Sequence, residues 1–290
     1  MLSALRALAR LPLRWYHALG GWLGWLVYWT SRRYAARLRQ NLRASGVWQD
    51  EADYRRILRG AIVEAGRQGI EIIPLWFRPH AQVVQLVKSC RGEHEVLEAY
   101  RAGRGVILLT PHLGCFEISA IYAAARFPIT VLYRPPHMAW VNHIIVAGRG
   151  RGREKLAPAS VKGVRLLYKA LKHGEAIGVL PDQVPGAGDG VWVDFFGRPA
   201  YTMTLIGRLC EALQPAVFIA TARRLPHGSG YEIEVDRVSG DVSGEAGTRR
   251  INAAIETAVR KWPEQYLWSY NRYKHPAGAP LPPGGLAAAR

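Results

Sequence analysis

The chain has 290 residues, 49% of them hydrophobic, which is enough for one large domain or two small ones with an apolar core and excludes a disordered protein. Its 39 Lys and Arg residues against 22 Asp and Glu give a net charge of +17, which indicates an anionic partner: nucleic acid, an anionic membrane, a phosphorylated substrate or an acidic carrier protein. The three cysteines lie far apart without CxxC spacing, so neither a disulfide framework nor a structural zinc site is expected and a reducing compartment is favoured.

The amino-terminal segment 15–30 has no charged side chain and contains four tryptophans. As a helix it would reach about 24 Å, short of the roughly 30 Å hydrocarbon core of a bilayer. Arginines flank it on both sides, and its large apolar residues fall on one helical stripe: Trp15, Leu19, Trp22, Leu26 and Trp29. We expect residues 1–45 to form a retained membrane anchor with a basic flank, with the rest of the chain on the cytoplasmic side. The alternative is an amphipathic helix that packs on the protein's own domain.

Strands and helices alternate along residues 46–275, which predicts a single α/β domain with helices covering a central sheet. The predicted helices are 50–77, 93–101, 115–125, 138–147, 161–173, 203–212 and 248–262, and the predicted strands are 106–109, 129–133, 176–180, 216–220 and 231–235. The tail 276–290 is rich in Pro, Gly and Ala and is predicted to be disordered.

The most informative motif follows the first of these strands. Val106–Leu109 is uniformly apolar and leads through Pro111 to His112, and Glu117 comes after four intervening residues at the start of an apolar helix. Polar residues at the carboxyl ends of strands form the sites of open α/β sheets. We expect His112 to act as a general base and Glu117 to accept its Nδ1 proton, with Gly114 leaving open space beside the imidazole.

Two other interpretations of this motif stay open. His112 and Glu117 could form a buried structural pair in the core. Cys115 could be a thiol nucleophile, although cysteine is also an ordinary small apolar residue and adjacency to a histidine does not make a dyad.

Further polar residues follow neighbouring strands and are candidates for substrate binding. Arg134 ends the strand 129–133, and Asp182 and Gln183 follow the strand 176–180 at the same edge of the sheet. An alternating Gly/Arg run supplies Arg149, Arg151 and Arg153, whose alternative role is solvated surface charge. No metal site is predicted.

Several collinear motifs give the chain a family resemblance. They are His112-x4-Glu117, Tyr133-Arg134-Pro135, Pro181-Asp182-Gln183, Phe195-Phe196-Gly197, Tyr201-Thr202-Met203-Thr204, and the closing segment Pro263–Lys274. In order and spacing the chain resembles the lipid A biosynthesis lauroyl and myristoyl acyltransferases of the lysophospholipid acyltransferase superfamily, over nearly its whole length. The resemblance implies the mixed, mainly parallel central sheet of the glycerol-3-phosphate and lysophospholipid acyltransferases.

The resemblance also implies a reaction. A fatty acyl chain would move from an acyl thioester, on acyl carrier protein or coenzyme A, to a hydroxyl of a lipid acceptor such as a lipid A precursor. The thioester would be a co-substrate, and no cofactor is implied. His112 would be the base and Glu117 its support, while Arg134 and one or more of Arg149, Arg151 and Arg153 would hold phosphates or the oxyanion. Asp182 and Gln183 would line the same cleft.

Two other functional classes remain as alternatives. Relatives that acylate other glycolipids or aminolipids share the same core. A basic membrane-surface or nucleic-acid-binding protein would also carry the net charge of +17. Nucleic-acid binding predicts aromatic residues interleaved with basic ones for stacking, whereas tryptophans here cluster in the amino-terminal segment, so the expected partners are the thioester donor, the lipid acceptor and an anionic membrane, with no nucleic acid.

Overall fold

A computed structural model describes residues 2–136 and 138–283. The helices are α1 Leu2–Leu8, α2 Leu13–Thr30, α3 Arg32–Ser45, α4 Glu51–Ile70, α5 Ile72–Phe77, α6 His80–Val84, α7 Glu93–Arg101, α8 Phe116–Ala124, α9 Ala139–Arg149, α10 Val161–Lys172, α11 Leu205–Leu213 and α12 Gly244–Lys261. The strands are β1 Val87–Arg91, β2 Val106–Leu109, β3 Ile129–Tyr133, β4 Glu154–Pro158, β5 Ala176–Val179, β6 Gly190–Phe195, β7 Arg198–Met203, β8 Ala216–Arg224 and β9 Tyr231–Arg237.

Seven strands form a central sheet in the order β1-β9-β8-β2-β5-β3-β4, and β6 and β7 form a separate hairpin. All neighbouring strands of the sheet run parallel except β8 and β9, so the predicted α/β class with a mainly parallel sheet is confirmed. Successive residues of β2 point to opposite faces: Ile107 and Leu109 enter one apolar cluster, Val106 and Leu108 the other. Burial of a strand on both faces is the reason for its uniformly apolar sequence.

The sequence did not predict β1 or β4, which lie at the two edges of the sheet. Both strands carry charged residues, as in Val87-Lys-Ser-Cys-Arg91, because an edge strand has hydrogen-bonding and packing neighbours on one side only. The helix expected over residues 50–77 is divided into α4 and α5, and Asp50 caps the first, accepting a hydrogen bond from the Asp53 amide at 2.8 Å.

Helix α2, the core of the expected anchor, packs against α4 through glycines. A Cβ atom at Gly24 would lie 2.1 Å from the carbonyl oxygen of Ile62, and one at Gly66 would lie 2.0 Å from that of Gly20. Only glycine permits this approach of two helix backbones. The other face of α2 carries the tryptophan stripe and is exposed. Among the described residues no helix combines the length and apolarity needed to cross a membrane.

A buried ionic cluster fixes α2 to the sheet. His17 Nε2 lies 3.3 Å from Glu71 Oε2, and Arg224 on β8 donates to Glu71 and to Glu64. Burial alone raises the pKa of Glu71, but Arg224 and His17 together lower it to about 2, so the carboxylate stays charged. Removal of residues 1–30 would therefore uncover α4 and leave this charged cluster incomplete.

The carboxyl-terminal segment predicted to be disordered is described as far as residue 283, and 284–290 lie outside the described residues. Ala279 is buried beside Val184 and Tyr201, and the Trp192 indole donates to the Pro280 carbonyl at 2.8 Å. Residues 276–283 thus rest against the hairpin of β6 and β7, because apolar residues there meet an apolar surface. The expected disorder of the tail stays a prediction. The domain boundaries stay predictions.

Candidate active site

The loop that carries His112 is held by backbone contacts on both sides. Gly114 has a φ of +61°, and a Cβ atom there would lie 2.0 Å from the carbonyl oxygen of Ala222 on β8. The amide of Cys115 donates to that same oxygen at 2.7 Å, and the amide of Gly114 donates to Gln265 at 2.9 Å. The expectation that Gly114 opens space near the imidazole was wrong: it is needed for close approach to β8.

His112 is paired with Asp182. Its Nδ1 lies 2.8 Å from Asp182 Oδ1, and its backbone amide donates to Asp182 Oδ2 at 2.9 Å. Burial alone raises the pKa of Asp182, but His112, through its charge and both hydrogen bonds, and Arg272 more weakly, hold that pKa below its ordinary value. An ionised Asp182 fixes the imidazole tautomer with the proton on Nδ1, which leaves the Nε2 lone pair free.

Strand register explains this pairing. In the parallel pair β2 and β5, Leu109 lies opposite Val179. His112 and Asp182 each follow three residues after that registered pair, so both reach the same point beyond the carboxyl edge of the sheet. This is where open α/β sheets place their ligands.

The Nε2 side of His112 faces a cavity. The Gln183 amide nitrogen lies 3.4 Å from Nε2, the Tyr270 ring is stacked against the imidazole with centroids 6.1 Å apart, and the Phe116 ring lies at 4.9 Å. The side chain of His112 is 11% exposed, which leaves a narrow route for a substrate hydroxyl to Nε2. Gln183 is thus brought to the site as predicted.

Glu117 does not contact His112, contrary to the expected hydrogen bond. It is bound by both nitrogens of one edge of the Arg149 guanidinium, with Nε at 2.9 Å from Oε2, and by the Trp76 indole at 2.9 Å. The reason is the helix start: α8 begins at Phe116 and directs Glu117 towards α5 and α9. The geometry assigns the role of orienting His112 to Asp182, which was predicted only to line the cleft.

A second carboxyl group lies close to this ion pair. Glu154 on β4 is buried, and desolvation together with the charge of Glu117 raises its pKa to about 8 against the opposing effect of Arg149 and Arg151. Arg149 keeps its positive charge because its pairing with Glu117 outweighs the desolvation that lowers its pKa. The pair therefore remains charged while its neighbour is protonated at neutral pH.

The cavity next to His112 has a volume of about 1000 Å³. It extends from the His112 loop between β3, α9, α10 and α11. Its apolar lining residues include Leu132, Ile145, Val161, Val164, Leu180, Met203, Leu205 and Leu209. Four arginines also line it: Arg134, Arg149, Arg165 and Arg208. A cavity of this size and composition suits a ligand that has both an apolar chain and anionic groups.

The four arginines predicted to bind substrate have different positions. Arg134 lines the cavity, and Arg149 lines it while paired with Glu117. Arg151 donates instead to the backbone carbonyls of Gly148 and Leu75, and Arg153 donates to the Arg126 carbonyl. The last two are therefore not brought to the cavity, because the chain turns away from it into β4.

Cys115 lies next to the His112 loop as an inert thiol. It is fully buried, and burial and the charge of Glu71 raise its pKa well above the ordinary value.

Sequence reasoning missed Tyr266 and Arg272, which surround Asp182, although both lie in the closing segment that carried the resemblance. It also missed Arg165 and Arg208, because single helix arginines look like surface charge in a sequence.

The arrangement can abstract a proton from a bound hydroxyl. A base with a fixed tautomer, an ionised partner and a free Nε2 beside a large cavity has the parts of general-base catalysis. None of the three cysteines provides an exposed thiolate, since Cys115 and Cys210 are buried and burial raises the pKa of Cys90 to about 11. Direct attack by a substrate hydroxyl is thus the chemistry that these residues support.

Comparison with known proteins agrees with this chemistry. The family model described as bacterial lipid A biosynthesis acyltransferase matches residues 1–275. The lipid A biosynthesis lauroyltransferase of Escherichia coli strain K12 is 25% identical over 96% of this chain and 92% of its own length. A lipid A biosynthesis acyltransferase of Haemophilus influenzae is 28% identical, over 90% and 82%. The lipid A biosynthesis palmitoleoyltransferase of Escherichia coli is 29% identical, over 76% and 69%.

Proposed function

The chain belongs to the bacterial lipid A biosynthesis acyltransferase family, and from this premise we propose that it moves a fatty acyl chain from an acyl thioester to a hydroxyl group of a lipid A precursor. The thioester would be carried by acyl carrier protein or coenzyme A. The observation that carries this proposal is His112 itself: its Nδ1 is held by Asp182 at 2.8 Å, and its Nε2 faces a cavity of about 1000 Å³.

In the proposed reaction, His112 Nε2 accepts the proton of the acceptor hydroxyl as its oxygen attacks the thioester carbonyl carbon. The new C–O bond forms, the C–S bond breaks, and the proton passes from His112 to the departing thiolate. Asp182 stabilises the imidazolium that exists between these two proton transfers. General-base catalysis of this kind contributes a factor of about 10² to 10⁴.

The direct test is acyl transfer by the purified protein. Lauroyl-acyl carrier protein and lauroyl-coenzyme A are each offered with a lipid A precursor in detergent micelles, and mass spectrometry follows the addition of one acyl chain. We expect transfer from at least one donor. His112→Ala should abolish it, and His173→Ala, which alters an exposed histidine at the end of α10, should not. Absence of transfer from both donors would contradict the proposal.

Offering other acceptors separates the alternatives within the enzyme class. Acylation of a different glycolipid or of an aminolipid, with none of the lipid A precursor, would assign the activity to that acceptor. A purely structural or nucleic-acid-binding role predicts no acyl transfer to any of them, together with unchanged binding properties of the His112→Ala protein.

Membrane association is a separate proposal that rests on the outer face of α2. Trp15, Trp22 and Trp29 on this face are 63%, 59% and 70% exposed. Arginines precede and follow the helix, and tryptophan favours the boundary between headgroups and acyl chains. We propose that α2 lies in the membrane interface with its glycine face on α4, which would bring the cavity close to its lipid acceptor at the cytoplasmic face of the inner membrane.

Replacement of exposed side chains tests this proposal without uncovering α4. Trp15→Gln, Trp22→Gln and Trp29→Gln together should release the protein from vesicles that contain phosphatidylglycerol, measured by co-sedimentation. Leu281→Gln is the control, because it removes an exposed apolar side chain far along the chain. Unchanged sedimentation of the triple variant would contradict the interfacial placement.

A further inference from the structure

Three arginines around the cavity have no carboxylate partner among the described residues: Arg134, Arg165 and Arg208. The fourth cavity arginine, Arg149, is neutralised by Glu117, as the buried Arg224 is by Glu71. The one carboxylate in the cavity lining, that of Asp189, does not form a salt bridge with any of the three. The cavity therefore carries an excess of positive charge that the protein does not compensate.

Arg165 stands in the row of α10 that faces the cavity. Val161, Val164 and Tyr168 line the cavity with it, and these spacings of three and four residues define one face of a helix. Arg165 is exposed to solvent and lines the cavity beside these residues.

Arg208 has the equivalent place on α11. Thr204, Leu205 and Ala212 line the cavity on the same helical face. The two helices thus each contribute one arginine to the cavity that His112 also lines. Lys162 and Lys169 on α10 are exposed, as Arg165 and Arg208 are, but only the two arginines line the cavity.

A guanidinium is matched in shape and charge to phosphate, to which it donates two parallel hydrogen bonds. We propose that Arg165 and Arg208 form a phosphate-binding subsite of the cavity, which holds a phosphate group of a substrate while its reacting group lies at His112. This deepens the proposed function and rests on it. Two substrates could supply that phosphate: the headgroup of the acceptor lipid, or the phosphopantetheine arm of the thioester donor.

The test removes the two arginines and the substrate phosphate in a matched set. Arg165→Gln/Arg208→Gln is compared with the wild type and with Lys162→Gln/Lys169→Gln, which removes two positive charges from α10 outside the cavity. Each protein is assayed with phosphorylated and dephosphorylated acceptor, and with lauroyl-coenzyme A and lauroyl-N-acetylcysteamine, a thioester without phosphate. Initial rates give kcat and KM for every combination.

We expect the arginine variant to lose about 10- to 100-fold in kcat/KM, mainly through KM, with the phosphate-bearing substrate. The loss should disappear when the substrate that the subsite recognises lacks its phosphate. The substrate for which the loss disappears, acceptor or donor, is then the one whose phosphate binds the subsite. An equal loss with every substrate, no loss, or the same loss in the lysine variant would overturn the subsite.

Binding by the His112→Ala protein distinguishes failure of the subsite from failure of the proposed function. Isothermal titration with the phosphorylated and dephosphorylated acceptor lipids and with coenzyme A is carried out with and without the two arginine substitutions. Arginine-dependent binding of one phosphate-bearing compound supports the subsite even if the wild type transfers no acyl chain. Acyl transfer with no phosphate dependence in either assay leaves the proposed function standing and rejects the subsite.

Discussion

His112 and Glu117 belong to one sequence motif but to two different ion pairs at the same edge of the sheet. His112 pairs with Asp182 and keeps one ring nitrogen towards the cavity. Glu117 is enclosed by Arg149 and Trp76. The first ion pair is suited to catalysis, because His112 Nε2 has a lone pair that can accept a proton. In the second ion pair both carboxylate oxygens of Glu117 are engaged, and the pair joins α8, α9 and α5.

Asp182→Asn, which alters the first ion pair, should have the largest effect of the substitutions, and the effect should be on catalysis. The asparagine amide would donate to Nδ1 and move the imidazole proton to Nε2, which would then be unable to act as a base. We expect kcat for acyl transfer to fall by about 10² to 10⁴ with little change in KM. The acidic limb of the pH profile of kcat/KM should also be altered. Activity within a few-fold of wild type would remove Asp182 from the role of positioning residue.

Glu117→Gln should act mainly on stability. It leaves the Arg149 guanidinium, whose side chain is only 17% exposed, without its carboxylate, and breaking such a pair costs about 3 to 5 kcal/mol. Urea unfolding measures this loss, and adding Arg149→Met should recover part of it. The acidic limb of the kcat/KM profile should remain as in wild type; if it changed as in Asp182→Asn, the two pairs would not be separate.

Glu154→Gln tests whether the carboxyl group beside the Glu117–Arg149 pair is protonated, through the pH dependence of stability. The folded protein retains the Glu154 proton up to a pKa of about 8, whereas the unfolded chain loses it near 4.5. The free energy of unfolding of the wild type therefore declines as the pH rises from 4.5 to about 8, and that of the glutamine variant does not. We expect equal unfolding free energies at pH 4 and a gain for the variant of roughly 2 to 4 kcal/mol at pH 8.

Two results of the Glu154 experiment would be informative in opposite ways. A gain that increases with pH across this window supports a neutral Glu154 beside the charged pair. A pH-independent difference would mean that Glu154 is ionised in the folded protein and shares Arg149 with Glu117.

Trp76→Phe should give the smallest change. It removes one hydrogen bond to Glu117 Oε2 while the bonds from Arg149 remain, and a hydrogen bond to a charged group contributes about 1.5 to 3 kcal/mol. Urea unfolding should show this loss, with kcat for acyl transfer nearly unchanged. A large loss of kcat would connect Glu117 to the reaction more closely than its contacts indicate.

In the amino-terminal helix, the structure supports packing on the protein's own domain, and the interfacial anchor stays a proposal. The expected interfacial anchor and the alternative of packing on the protein's own domain were opposed in the sequence. In the structure, the glycine face packs on α4 and the tryptophan face is exposed. The sequence defines both faces, since helical spacing is local, but it does not contain the position of α4.

The sequence by itself determined the elements whose patterns are local. Strands β2 and β3 and helix α7 begin and end where they were predicted, because runs of mostly apolar residues mark the strands and Gly103 marks the end of the helix. His112 was placed at a strand end for the same reason. The edge strands β1 and β4 were missed, because they are defined by hydrogen bonds to β9 and β3 and not by their own composition.

Only the tertiary structure decided which carboxylate serves His112. Glu117 lies only five positions after His112, yet the turn at Gly114 and the start of α8 direct the two side chains apart. Asp182 is seventy residues away in sequence and becomes a neighbour because β5 lies beside β2 in parallel register. Strand order and register depend on how whole sheets and helices bury their apolar faces, and no local spacing encodes that choice.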